Sequence, residues 1–244
     1  MLTDPFFSPA GTSFPITDEF APTVHQDPAF RLDQLPVIDA VLLSHEDHAD
    51  NLDPLGRQLL GGRRVFTTLD GAKNLSRRPA VLGMTPWQKA NVMIAGKAFQ
   101  IIATPTKHTD GQECTGFLIT ADDFGTGRDG LPNAIYFSGD TVYVPELARI
   151  ASDFHVRAAI LNLGNAYAPK EVGNPDSPLY QITMDGRSAA RLFREVKADA
   201  LLPMHYEAWE HFTQSGNELR RVFEEEGIAD KVCWLTSGKA VTVS

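Results

Sequence analysis

The segment PVIDAVLLSHEDHAD, residues 36–50, constrains this chain more than any other stretch of it. An apolar run ends abruptly at Ser44, and the residues from His45 to Asp50 then carry two imidazoles and three carboxylates. The run reads as a buried strand whose C-terminal end carries chemistry. Crowding ionisable groups behind such a strand is costly unless an opposite charge offsets them. A helix N-terminus would account for Asp47 and Asp50 through its dipole. It would not account for the paired histidines.

The same pattern recurs downstream. YFSGD (136–140) and LLPMHYEAW (201–209) each run from apolar strand to His or Asp, and ATPTKHTDG (103–111) does so after a short spacer. In α/β folds, ligands gather outside the carboxyl ends of strands. Four such ends on one rim would assemble His45, His48, Asp50, His108, Asp140 and His205. A lone histidine at a strand end is usually a surface or hydrogen-bonded residue; only the whole set points to a metal. Neutral imidazole together with carboxylate suits zinc, manganese or iron.

Around these points the chain reads as a layered α/β protein. Residues 1–36 are rich in Pro, Asp, Thr and Phe and predict an extended, loop-rich start. Strands are expected at 64–68, 92–94, 98–104, 115–120, 134–138, 158–163 and 200–203. Helices are expected at 51–60, with Asp50 or Asn51 as N-cap, at 145–151, at 184–197 capped by Thr183, and from Ser215 to about Glu226. Residues 231–243 read as two closing strands. The segment 165–181, with Gly173, three prolines and two tyrosines, reads as a loop over the site. No linker or repeat divides the chain, so one domain spanning 1–244 is the expectation.

Charge and cysteine content narrow the function classes. The formal net charge is −9, whereas nucleic-acid binders and anionic-membrane binders need a basic face. Two cysteines, Cys114 and Cys233, make no disulfide framework and favour a cytoplasmic setting. The N-terminus has neither the basic region nor the apolar run of a signal peptide. No stretch approaches the roughly 18 apolar residues of a membrane helix. The expected partner is a small-molecule substrate. A G-x-S-x-G elbow and a phosphate-cradling G-x-x-x-x-G-K-[ST] loop are both absent.

The order of these motifs resembles the metallo-β-lactamase superfamily, and more narrowly its ascorbate-phosphate lactonase-like branch. The likeness runs from LTDPFFSPAG through SHEDHADNLD, TPTKHTDG, FSGDT, LNLGNA and PMHYEAWEHF. It implies an αββα sandwich with a metal site along one edge, holding one or two divalent ions, zinc first and manganese or iron as alternatives. The family signature is H-x-H-x-D-H; this chain has H-E-D-H-A-D-N, one residue longer between the histidines and ending in Asn51. One register matches His45 and His48 to the two histidines, Asp50 to the aspartate and Asn51 to the last histidine. Another takes Asp47 and His48 as the D-H pair. The first keeps the D-N-L-D continuation into the helix.

In that register the resemblance implies a first site of His45, His48, His108 and Asp140. The second would be Asp50, His205 and the bridging Asp140, with the weaker amide of Asn51 in place of imidazole. The family also implies a strand pair ahead of the LTDP segment. Either the start is truncated or the first sheet is one hairpin short, and a homo-oligomer would cover the exposed edge.

The expected chemistry is hydrolysis of a small ester, lactone, amide or phosphoester by water activated on the metal. Asp50 and His211 are the candidate catalytic residues. Tyr143, Asn162, Tyr167 and Trp209 are candidates to line the pocket, and Lys107 to meet an anionic substrate. Two rival readings are a phosphodiesterase or nuclease on the same fold, and a non-catalytic binding module with a degraded metal site.

Overall fold

A computed structural model describes residues 1–16, 21–174 and 176–243. Two sheets stack face to face with helices on both outer surfaces. The first sheet is parallel, in the order β1 (Leu2–Thr3), β2 (Ala40–Leu42), β3 (Arg64–Thr67) and β4 (Val81–Gly83). Its connections carry α1 (Pro54–Leu59) and α2 (Leu69–Asn74).

The second sheet has six strands. They are β5 (Lys89–Ile94), β6 (Lys97–Thr104), β7 (Gly116–Thr120), β8 (Asn133–Phe137), β9 (His155–Asn162) and β12 (Ala200–Met204), in the spatial order β12-β9-β8-β7-β6-β5. Strands β5 to β8 form an antiparallel meander, and β8, β9 and β12 run parallel. Helices α3 (Ile150–Asp153), α4 (Gly186–Glu195) and α5 (Gly216–Glu225) accompany this sheet, and β10 (Tyr167–Pro169) pairs with β11 (Leu179–Gln181) as a separate ribbon.

Strand alternation explains the layering. Leu42, Ile101, Ala103, Phe117, Ile119 and Phe137 point between the sheets and form one core cluster. Their sequence neighbours Ile102, Leu118 and Tyr136 point the other way, onto Leu192 and Phe193 of α4 and Leu219 and Phe223 of α5. Val41 and Leu43 likewise face outward, packing with Leu52, Leu60 and Leu75. Strands buried on both faces read as continuous apolar runs, which is why VLL and GFLIT carry no clean alternation.

Several boundaries differ from the sequence expectation. The first helix starts at Pro54, capped by Asp53, whose side chain accepts from Gly56 N; Asp50 and Asn51 are engaged elsewhere. Helix α4 is capped by Asp185, which accepts from Ser188 N. The hydroxyl of Thr183 instead accepts from Ala166 N, 2.8 Å away. The expected closing strands do not form: residues 232–243 contain one isolated bridge, Leu201 to Val232. The expected loop at 165–181 contains the β10–β11 ribbon, and one of its prolines, Pro175, lies outside the described residues. Among the described residues, no helix is long and apolar enough to cross a membrane.

The inter-sheet core is one of the packed layers that stabilise the fold. Phe117 is fully buried there. We expect Phe117→Ala to cost about 3–5 kcal/mol by urea denaturation, and Val37→Ala, at a position 86% exposed, to stay within about 0.5 kcal/mol.

Candidate metal centre

The carboxyl ends of β2, β6, β8 and β12 lie on one edge of the sandwich. Strands β6, β8 and β12 share a direction within their sheet. The end of β2 is tied across to that sheet by Thr115 N donating to Ser44 O at 3.0 Å. The segments that follow these ends bring two trios together, His45, His48 and His108 in one, and Asp50, Asp140 and His205 in the other. Within each trio the candidate ligand atoms lie within 4.8 Å of one another.

In the first trio, hydrogen bonds fix which nitrogen faces inward. The Ser44 hydroxyl donates to Asp4 Oδ2 at 2.8 Å, so its oxygen is left to accept from His45 Nδ1–H at 2.9 Å. The opposite nitrogen, His45 Nε2, is buried with no hydrogen-bond partner. His48 Nε2 donates to Gln112 Oε1 at 3.0 Å, and His108 Nδ1 donates to the Ile182 carbonyl at 2.8 Å. The inward atoms His48 Nδ1 and His108 Nε2 then face each other at 3.3 Å. Two imidazole lone pairs at that distance repel unless a positive charge sits between them. Outer partners of this kind set the tautomer of a metal-binding histidine. Burial, with repulsion from His108 and His48, holds His45 near a pKa of about 3, so it is neutral and its lone pair free.

The second trio is acidic. His205 Nε2 lies 3.3 Å from Asp50 Oδ2 and 3.4 Å from Asp140 Oδ2, yet its geometry makes no hydrogen bond. Burial works against charge on all three groups. Even so, their mutual attraction lowers Asp50 and Asp140 and raises His205. An imidazolium and a divalent cation are alternative counter-charges for these carboxylates, so an ion bound here would displace a proton. Asp140 links the trios: its Oδ2 is also 4.0 Å from His108 Nε2, while Asn162 Nδ2 donates to its Oδ1 at 2.7 Å. Three inward imidazole nitrogens beside two carboxylates match the ligand chemistry of a zinc-like ion.

The backbone is adapted to this convergence. Gly139 has φ +58°, and a Cβ there would lie 2.6 Å from Thr115 O and 2.9 Å from Ser44 Cβ. Only glycine lets β8 turn towards Asp140 so close to the end of β2. His205 itself is left-handed at φ 55°, strain of the kind that persists at functional sites.

Other candidate residues fall in varied places. Asp47 is exposed. Glu46 turns outward to Arg57 Nη2 at 2.7 Å and Asn74 Nδ2 at 2.8 Å, bracing the longer loop onto α1 and α2. Asn51 donates to Asp4 Oδ2 and Ser44 Oγ at 3.2 and 3.3 Å. Trp209 is buried against Phe6 and Phe14. Tyr143 hydrogen-bonds Glu195 under Arg191, within the helical layer. Tyr167 and Lys107 are exposed.

Sequence reasoning missed Asp4. It accepts from Ser44 N at 2.7 Å as well as from Ser44 Oγ and Asn51. Burial, partly offset by these donors and reinforced by Asp140, raises its pKa to about 7. The only hint is its place in LTDP, far from any histidine.

The four-layered sandwich with its ligands at one sheet edge is the metallo-β-lactamase fold. A family profile described as the β-lactamase superfamily domain matches residues 1–206, and the chain belongs to that family. Among curated proteins it is similar to a UPF0173 metal-dependent hydrolase of Solibacter usitatus, 26% identical over 84% of this chain and 81% of that protein. A second, from Methanoculleus marisnigri, is 24% identical over 97% and 92%. Among solved structures, an isothiocyanate hydrolase from Delia radicum gut bacteria superposes with a TM-score of 0.74 at 20% identity, over 99% of this chain and 91% of that one. The metallo hydrolase Igni18 from Ignicoccus hospitalis gives 0.62 at 24% identity, over 83% and 78%.

We expect Gly139→Ala to destabilise the protein by more than about 1 kcal/mol and to weaken zinc retention on dialysis. Gly96→Ala, left-handed but with nothing within 4 Å of its added Cβ, reports strain alone and should leave zinc retention unchanged.

Proposed function

We propose that this protein is a metal-dependent hydrolase acting on a small ester, lactone or phosphoester. The observation that carries the reading is the inward set of imidazole lone pairs in His45, His48 and His108, joined through Asp140 to the second trio. His45, His48, His108 and Asp140 would hold one ion, and Asp50, Asp140 and His205 would hold a second. Zinc is the first candidate, with manganese or iron as alternatives. A divalent ion in such a site lowers the pKa of water from about 15.7 to about 7 and polarises the substrate oxygen.

The chain's own groups supply the rest. Asp50, held as a carboxylate beside His205, would orient the attacking water. Asn162 fixes the carboxylate plane of Asp140. The Ile182 carbonyl and the Asp4–Ser44 pair hold the rings of His108 and His45. Together they preorganise the site, so little rearrangement is needed as charge develops. Tyr180, on β11, accepts from Asp110 N at 2.9 Å, which puts the ribbon against the His108 loop and in a position to shape the substrate space.

The relatives named as metal-dependent hydrolases support the reaction class. The motif likeness to the lactonase-like branch supports lactones as the first substrates to try. A superfold of this kind hosts many reactions, so the assay panel should include phosphodiesters and an isothiocyanate. The degraded-module reading is disfavoured by the complete second trio.

The test is turnover of esters, lactones and phosphoesters by protein of known metal content. We expect activity that chelator abolishes and zinc or manganese restores, and Asp50→Asn to lower kcat by about 100-fold or more while His45, His48 and His108 still retain an ion. Activity that survives exhaustive chelation would overturn the proposal.

A further inference from the structure

We propose that His211 supplies the second metal position with the imidazole that residue 51 lacks. The inference rests on the metal-hydrolase reading above and assigns a ligand that the motif pattern does not contain. The last histidine of the signature H-x-H-x-D-H is Asn51 here, and both amide hydrogens of Asn51 are directed at Asp4 Oδ2 and Ser44 Oγ. Its amide nitrogen bridges Asp4 and Ser44, the pair that holds the His45 ring, while its Oδ1 is buried with no hydrogen-bond partner; the Asn51→Ala variant separates the two candidates.

His211 reaches the same place from another part of the chain. Its Nε2 lies 3.7 Å from Asp50 Oδ2, the oxygen that His205 Nε2 approaches at 3.3 Å. Ligand atoms bonded to one ion at about 2.0–2.1 Å sit roughly 3–4 Å from one another. The spacings of His205 to Asp50 and Asp140, 3.3 and 3.4 Å, and of His211 to Asp50, 3.7 Å, fall in that range; the tight trio is Asp50, Asp140 and His205, and His211 joins it from the Asp50 side. The His211 side chain is only 20% exposed, and its Nδ1 is buried with no hydrogen-bond partner.

The turn that delivers His211 is built for the purpose. Phe212 packs edge-on against His205, with centroids 4.8 Å apart, and also against His211 at 4.5 Å. Trp209 flanks His211 on another side at 5.9 Å. Phe212 in turn occupies the space beside Gly164, where a Cβ would lie 2.6 Å from its ring. One wedge thus orients His205 towards the Asp50 and Asp140 oxygens and His211 towards Asp50. The donor set becomes two carboxylates and two imidazoles, suited to zinc, iron or manganese. His211 is then a ligand, not the proton-handling residue that the sequence suggests.

The experiment is equilibrium dialysis of the full chain against zinc, with metal content read by elemental analysis. It compares wild type, His211→Ala, His211→Cys and Asn51→Ala, each checked for folding by thermal melting. We expect two ions in wild type, one in His211→Ala with the second weakened at least about tenfold, recovery of the second in His211→Cys, and two in Asn51→Ala. Unchanged affinity for both ions in His211→Ala would overturn the proposal while leaving the hydrolase reading intact. So would loss of the second ion in Asn51→Ala alone, or one ion in both wild type and His211→Ala. A wild type that takes up no ion would overturn the hydrolase reading itself, and this proposal with it.

Discussion

At the seam between the two sheets, inward lone pairs of three imidazoles face one another beside buried carboxylates. His48 Nδ1 and His108 Nε2 stand 3.3 Å apart, with their far nitrogens committed to Gln112 and Ile182. Asp50 and Asp140 both press on His205 within 3.4 Å. Neither arrangement is favourable for isolated groups removed from water. Both become favourable around a shared divalent charge. Much else in the structure follows from holding this set in place: the glycine at 139, the left-handed His205, the inward turn of Asp4.

The sandwich provides the rigidity that such a set requires. Each candidate segment follows a strand whose C-terminal end is packed into the core, so the loops that carry His45 to Asp50, His108, Asp140 and His205 start from fixed points. The outer partners then finish the orientation. Ser44 is the node: one hydroxyl joins Asp4, His45 and Asn51, and its carbonyl ties the first sheet to the second through Thr115. A site assembled this way resists drift in any single loop. Its cost is the local strain and the electrostatic crowding just described.

Much of this was legible in the sequence because strand ends announce themselves. An apolar run broken by His or Asp marks the end of a strand, and strands do end at Leu42, Phe137 and Met204, with the polar residues that follow drawn together. The αββα layering came from the resemblance, since period alone does not separate two buried sheets from one. What could not be read were features decided by tertiary partners. Thr183 looks like an N-cap, but its hydroxyl is used by Ala166 N, and Asp185 takes the role. Asp50 and Asn51 look like caps, but the site claims them and Asp53 caps instead. Residues 231–243 have strand-forming composition, yet among the described residues only Val232 pairs, in a bridge to Leu201 at the sheet edge. Asp4 lies some forty residues from the histidines it supports, and no local pattern connects them.

The most direct measurement is anomalous diffraction from crystals soaked in zinc, with data recorded on both sides of the zinc absorption edge. The account predicts a strong peak enclosed by His45 Nε2, His48 Nδ1, His108 Nε2 and Asp140. A map with no peak among those four groups, or with zinc bound only at surface carboxylates, would contradict it.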